Sequence, residues 1–134
     1  MKYMKKRETE FFTLIPKDGY VFAEWNKGHR FVDLEDVERE VDGRVEWQGE
    51  ESLDYVIRFP NPFKFSSKAS HYLKSAEGRR GIKRCAILAD NLFWFAALKF
   101  AFWVSQDDFP ITVVRSEEEA VEWFKLNPVA LSFN

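Results

Sequence analysis

The sequence predicts one α/β domain, a mixed sheet of about five strands that opens with a hairpin and carries about four helices. Strand-like and helix-like segments alternate along most of the chain, which favours strand–helix–strand units with parallel pairing and right-handed crossovers. The first two strand-like segments are separated only by Pro16-Lys17-Asp18-Gly19, so they can pair antiparallel. The apolar run Arg84-Cys85-Ala86-Ile87-Leu88-Ala89-Asp90 is what a strand covered on both faces requires.

The elements follow in order. Phe11-Phe12-Thr13-Leu14-Ile15 forms the first strand, and proline and glycine then stand where a turn wants them. Tyr20-Val21-Phe22-Ala23-Glu24-Trp25, rich in aromatic and β-branched residues, forms the second, and Asn26-Lys27-Gly28 turns the chain. Asp33 can cap a helix, and the acids Glu35 and Asp36 suit the positive end of its dipole. Leu34, Val37 and Val41 share a face at helical spacing, and Asp42-Gly43 ends this helix. Val45-Glu46-Trp47 reads as a short extra strand before a polar loop. Leu53-Asp54-Tyr55-Val56-Ile57-Arg58-Phe59 is a strand that Pro60 and Pro62 stop, because proline cannot donate to a ladder. Ser66 or Ser67 then caps a helix running to about Ala76, and Gly78 and Gly81 end it. After the 84–90 strand, residues 91–104 form a helix, and Phe109-Pro110-Ile111-Thr112-Val113-Val114-Arg115 is the last strand. Ser116-Glu117-Glu118-Glu119 is a capping box opening a terminal helix, with Ala120, Val121 and Phe124 on its buried face.

Composition narrows the function classes. The 134 residues suit a single domain, 1–134, with its core at about 10–126. With 46% apolar and 31% charged residues the chain is globular rather than disordered. A net charge of −2 argues against nucleic-acid binding by bulk electrostatics, and Lys5-Lys6-Arg7 reads as a solvated terminus. A single cysteine, Cys85, rules out a disulfide within the chain and fits a reducing, cytoplasmic setting. One cysteine and two scattered histidines, His29 and His71, are too few for a structural zinc site. Residues 11–15 are too short for a signal-peptide core, and no run approaches the roughly 20 apolar residues of a membrane span, so stable membrane insertion is not expected.

From Val32 to Phe124 the pattern resembles the STAS-like domains, relatives of the bacterial anti-sigma-factor antagonists that include SpoIIAA-like and Sec14-like members. The resemblance rests on Ile82-Lys83-Arg84-Cys85-Ala86-Ile87-Leu88-Ala89-Asp90, on the apolar helix after it, and on the strand and acid-rich capped helix that place Ala120 and Trp123. It implies a STAS/SpoIIAA-like fold and a non-catalytic interaction or regulatory role. Anti-sigma-factor antagonists carry a phosphorylatable serine in Asp-Ser-Ser-Gly at a helix start. The matching place here is Phe65-Ser66-Ser67-Lys68, where the acid is replaced by Phe65 and the glycine by Lys68. Ser66 and Ser67 are therefore candidates for phosphorylation, or plain helix caps.

Other chemical candidates have structural alternatives. Asp90 stands at the carboxyl end of a central strand, where open α/β sheets bind ligands, and is equally placed to cap the next helix. Cys85 lies in an apolar strand and reads as a buried, inert thiol. His29 and His71 read as surface residues, and no phosphate loop, dinucleotide fingerprint or metalloprotease motif occurs. No catalytic role, cofactor or metal is therefore expected.

Residues 91–104 are the unusual element. A helix on one side of a sheet needs a single apolar stripe. Here Lys99 is nearly the only polar residue, and Phe93, Phe95, Phe100, Phe102 and Trp103 cannot all point one way. Either another helix or the N-terminal segment of the same chain covers them, or Phe93, Trp94, Phe95, Phe100, Phe102 and Trp103 are the candidate interface of a homodimer or a regulatory partner. The alternative is a carrier of an apolar small molecule or lipid, as the Sec14-like relatives imply, with Phe93, Trp94, Phe100 and Trp103 lining its pocket.

Overall fold

The computed structural model describes residues 5–26, 31–58, 64–105 and 109–127, with the backbone alone for residues 100–105. The elements run β1 (Arg7–Glu8), β2 (Phe12–Pro16), β3 (Tyr20–Trp25), α1 (Leu34–Gln48), β4 (Leu53–Arg58), α2 (Ser67–Leu73), β5 (Ile82–Leu88), α3 (Leu92–Ser105), β6 (Ile111–Val114) and α4 (Glu117–Leu126). They build one mixed sheet of six strands in the order β1-β2-β3-β4-β5-β6. β1–β2 and β2–β3 are antiparallel, and β3 through β6 pair in parallel.

The expected hairpin, the parallel crossovers and the four helices are all present. The extra strand lies inside the basic start, where Arg7 and Glu8 pair with Leu14 and Thr13. The short strand expected at Val45-Glu46-Trp47 is instead the last turn of α1, which passes through Gly43 and ends at Gly49, where φ is 84°. Glycine inside a helix weakens it by about 1 kcal/mol relative to alanine. At Gly43 the missing side chain leaves room for the tip of the Arg7 side chain, since a Cβ there would sit 2.5 Å from a terminal guanidinium nitrogen. Trp47, read as strand-like for its ring, anchors the same contact by donating its indole N–H to the Lys5 carbonyl at 2.9 Å.

Alternation along the central strands divides the core. Leu53, Tyr55 and Ile57 of β4 and Cys85 and Ile87 of β5 form one cluster, against which Trp94, Phe95 and Leu98 of α3 pack. Val56, Ala86 and Leu88 point the other way and meet Ala120 and Phe124 of α4. β4 is buried along most of its length, as a parallel strand covered on both faces must be. A third cluster, Phe11, Val32, Val37, Val41 and Ala69, joins α1 to α2.

The helix starts follow the expected chemistry. Asp33 and Asp36 form a capping box on α1, and the Ser116 hydroxyl accepts the Glu119 N–H at 3.1 Å on α4. Glu119 reaches back one residue further than a standard box, accepting the Arg115 N–H at 2.6 Å. An isolated parallel bridge between Val32 and Phe65 sets the starts of α1 and α2 side by side.

The sequence reading overlooked a charge pair inside the sheet. Asp54 and Arg84 stand opposite each other on β4 and β5. The Arg84 guanidinium donates to both carboxylate oxygens, at 2.8 and 2.6 Å. Its remaining terminal nitrogen donates to the carbonyls of Phe124 and Asn127, so one buried cation ties the end of α4 to the sheet.

Candidate functional site

α3 presents two faces of opposite character. Trp94, Phe95 and Leu98 turn inward onto the sheet, and the Lys99 and Arg115 cations lie 5.5 and 5.7 Å from the centre of the Phe95 ring. Of the six candidate interface residues, Trp94 and Phe95 thus pack on the inner face and are partly buried there. Phe93 stands outward with 86% of its surface exposed, next to Leu92 at 66%. Ala96 and Ala97, also exposed, continue that outer face one turn on. The side chains of Phe100, Phe102 and Trp103 lie outside the described residues.

Under the helices the core is incompletely filled. α2 packs on α1 and α3 packs on β6, but among the described residues the backbones of α2 and α3 do not approach each other closely. Between them lies a cavity of about 190 Å³, floored by Ile57, Cys85, Ile87 and Ile111 and flanked by Leu73, Trp94 and Leu98. A second cavity, of about 80 Å³, adjoins it beneath α1 and is lined by Val37, Glu40, Arg44 and Tyr55 among others. Of the carrier residues expected from sequence, Trp94 lines the larger cavity, whereas Phe93 faces away from it.

The floor of α1 holds polar groups that the sequence reading missed. Arg44 and Gln48 are buried. The Tyr55 hydroxyl donates to the Gln48 side-chain oxygen at 2.5 Å, and the Gln48 amide donates to the carbonyls of Glu51 and Gly81. Burial raises the Tyr55 hydroxyl above its ordinary pKa, so this network stays neutral at physiological pH. The available signal was spacing, since Arg44 and Gln48 continue the Val37–Val41 face of one helix once Gly43 is read as internal.

Among the remaining candidates, Ser66 and Asp90 have structural partners. The Ser66 hydroxyl accepts the Ala69 N–H at 3.0 Å and is the cap of α2, whereas Ser67, the first residue of the helix, is exposed. The Leu34 backbone N–H and then the Ser66 hydroxyl hold the Asp33 carboxyl below the usual carboxylate range. A phosphate on Ser66 would displace the cap and add negative charge beside Asp33. Asp90 does not cap α3. Asn91 does, accepting the Trp94 N–H at 2.7 Å, because its side chain is one residue closer to the helix start. Asp90 instead pairs with Arg58 at 3.0 Å, and Arg58 also holds Glu24 at 2.7 Å. Burial pushes the Cys85 thiol up to about 12, so it stays protonated at neutral pH. His71 is exposed on α2, and His29 lies outside the described residues.

Among the described residues no helix is long and apolar enough to cross a membrane. A family model described as a domain of unknown function, DUF7793, matches residues 14–127. No curated protein matches the chain. Among solved structures, the chain is similar to an uncharacterised DUF3478-family protein from Shewanella loihica PV-4 described as having a SpoIIAA-like fold, with a TM-score of 0.51 at 15% identity. The similarity covers 88% of this chain and 89% of that one, and at this identity it speaks for the fold alone.

Proposed function

The chain belongs to the DUF7793 family, a domain of unknown function, and from its SpoIIAA-like fold we propose that it is a non-catalytic interaction module that pairs with a second copy through the outer face of α3. The observation that carries this reading is the outward exposure of Leu92 and Phe93 on a helix whose inner face already satisfies the sheet. A contiguous apolar face left open marks an interaction surface. Its relief suits a helix of its own kind. Phe93 projects beside the small residues Ala96 and Ala97, so in a two-fold pair each ring can sit over the partner's alanines. Burying a phenylalanine from water contributes roughly 1.5–3 kcal/mol, and two-fold symmetry counts it twice.

The non-catalytic part of the proposal draws on the partners just described. Ser66 caps α2, Asp90 is paired with Arg58, and Cys85 holds its proton. These three have structural roles that account for their presence.

Sedimentation velocity tests the pairing. The parent protein should sediment as a dimer and Phe93→Glu as a folded monomer, because the Phe93 side chain supports nothing within its own fold. A monomeric parent at high micromolar concentration would refute the pairing, as would a Phe93→Glu variant that remains dimeric.

A further inference from the structure

Independently of how copies associate, we infer that the space between α2 and α3 binds a single-chain amphiphilic carboxylate, its head on Arg44 and its chain running toward Ile87, Trp94 and Leu98. The two cavities share Ile57, Phe65, Leu73, Gly78 and Ile82 and so form one continuous tract. The larger part, about 190 Å³, exceeds the roughly 150 Å³ at which an apolar cavity already takes up a benzene-sized guest.

The polar groups set the chemistry of the occupant. Arg44 is only 8% exposed, and its Nη1 has no hydrogen-bond partner. Its Nη2 donates to the Gly78 carbonyl at 3.3 Å, and Tyr55 stands against the guanidinium through both its hydroxyl and its ring, whose centre is 5.4 Å away. No carboxylate among the described residues pairs with it, although a buried cation without an anion carries a heavy desolvation penalty. Glu40 lines the smaller cavity too, but the Thr9 hydroxyl donates to it at 2.7 Å, and Arg7 and Arg39 supply its opposite charge. The charged residues lining the larger cavity, Lys74 and Arg79, are both cations. Trp94 Nε1, also in that lining, is a second buried donor without a partner. An occupant with a carboxylate head and an apolar chain meets the conditions set by Arg44 and by the apolar walls of the larger cavity. A planar guanidinium favours a carboxylate, which it can hold through two parallel hydrogen bonds.

Isothermal titration calorimetry of the full chain with sodium decanoate and decan-1-ol tests this site. Decanoate should bind once per chain and at least about tenfold more tightly than the alcohol, which shares its chain but lacks the charge. Arg44→Met keeps the apolar stem and should erase that preference while leaving decanol affinity unchanged. It should not lower the thermal midpoint, because the charge it removes is unpaired. Ile87→Trp should fill the larger cavity and abolish both ligands, and Leu98→Trp serves the same end if the first variant does not fold. Equal binding of acid and alcohol, no binding of either, or a preference that survives Arg44→Met would overturn the assignment. A lowered midpoint in Arg44→Met would do so too, by giving Arg44 a structural role. None of these outcomes bears on the dimer, which is read from sedimentation alone.

Discussion

Under α4, Val56, Ala86 and Leu88 close against Ala120 and Phe124, and the one buried cation, Arg84, has its guanidinium held by Asp54 and two carbonyls. On the opposite face of the same sheet, three helices leave two adjoining cavities, and the buried cation, Arg44, has no anion. A single helix thus seals its face better than three seal theirs. The difference lies in the contacts between helices. α4 by itself lies across β4, β5 and β6 and also meets Tyr20 of β3, whereas α2 and α3 stand on the same face with a cavity between them. Satisfied packing is the signature of a face that maintains the fold, and unsatisfied donors beside a cavity are the signature of one that awaits something.

The sharpest way to break this contrast is Asp54→Ala, which strands the Arg84 charge on the closed face. It should lower stability by about 3–5 kcal/mol in urea titration. A loss under about 1 kcal/mol would mean that the pair is not buried as described. Next comes a matched truncation on the two faces. Leu88→Ala, under α4, should cost about 2–5 kcal/mol. Leu98→Ala, beside the existing cavity and only half buried, should cost less than about 1.5 kcal/mol. Equal losses would show that the two faces are packed alike. Ser66→Ala removes the α2 cap and should cost about 1 kcal/mol, while Ser67→Ala should change almost nothing.

The last effect is absent at neutral pH. Burial raises the Cys85 thiol from an ordinary value near 9 to about 12. The native state therefore keeps this proton where the unfolded chain has released it, and stability should fall as pH rises from 9 toward 12. Cys85→Ala should flatten that decline relative to the parent, and identical pH profiles would show that the thiol is not shielded.

The contrast between the faces also explains what could be read from the chain. Strands, caps and the hairpin are local patterns, and Asp33, Ser66 and Ser116 each announce a helix through their own neighbours. Val45-Glu46-Trp47 was misleading because β-branched and aromatic residues after a glycine have strand propensity, and packing against β1 overrides it. The phase of α3 was hidden for the opposite reason. Apolar residues on every side leave no polar stripe to orient the helix, so sequence could not separate Phe93 from Trp94 and Phe95. The cavity was beyond reach because it is a gap between two helices, and no residue type encodes a distance. Arg44 and Gln48 look like solvent-facing residues of a charged helix until tertiary packing buries them.

The sheet's borders have a consequence of their own. Among the described residues it is bounded on one side by β1, with 2 residues, and on the other by β6, with 4. Borders so short offer a neighbouring molecule little unpaired backbone on which to extend the ladder. Growth of one sheet into another is thereby discouraged, and any encounter between copies is directed toward surfaces made of side chains.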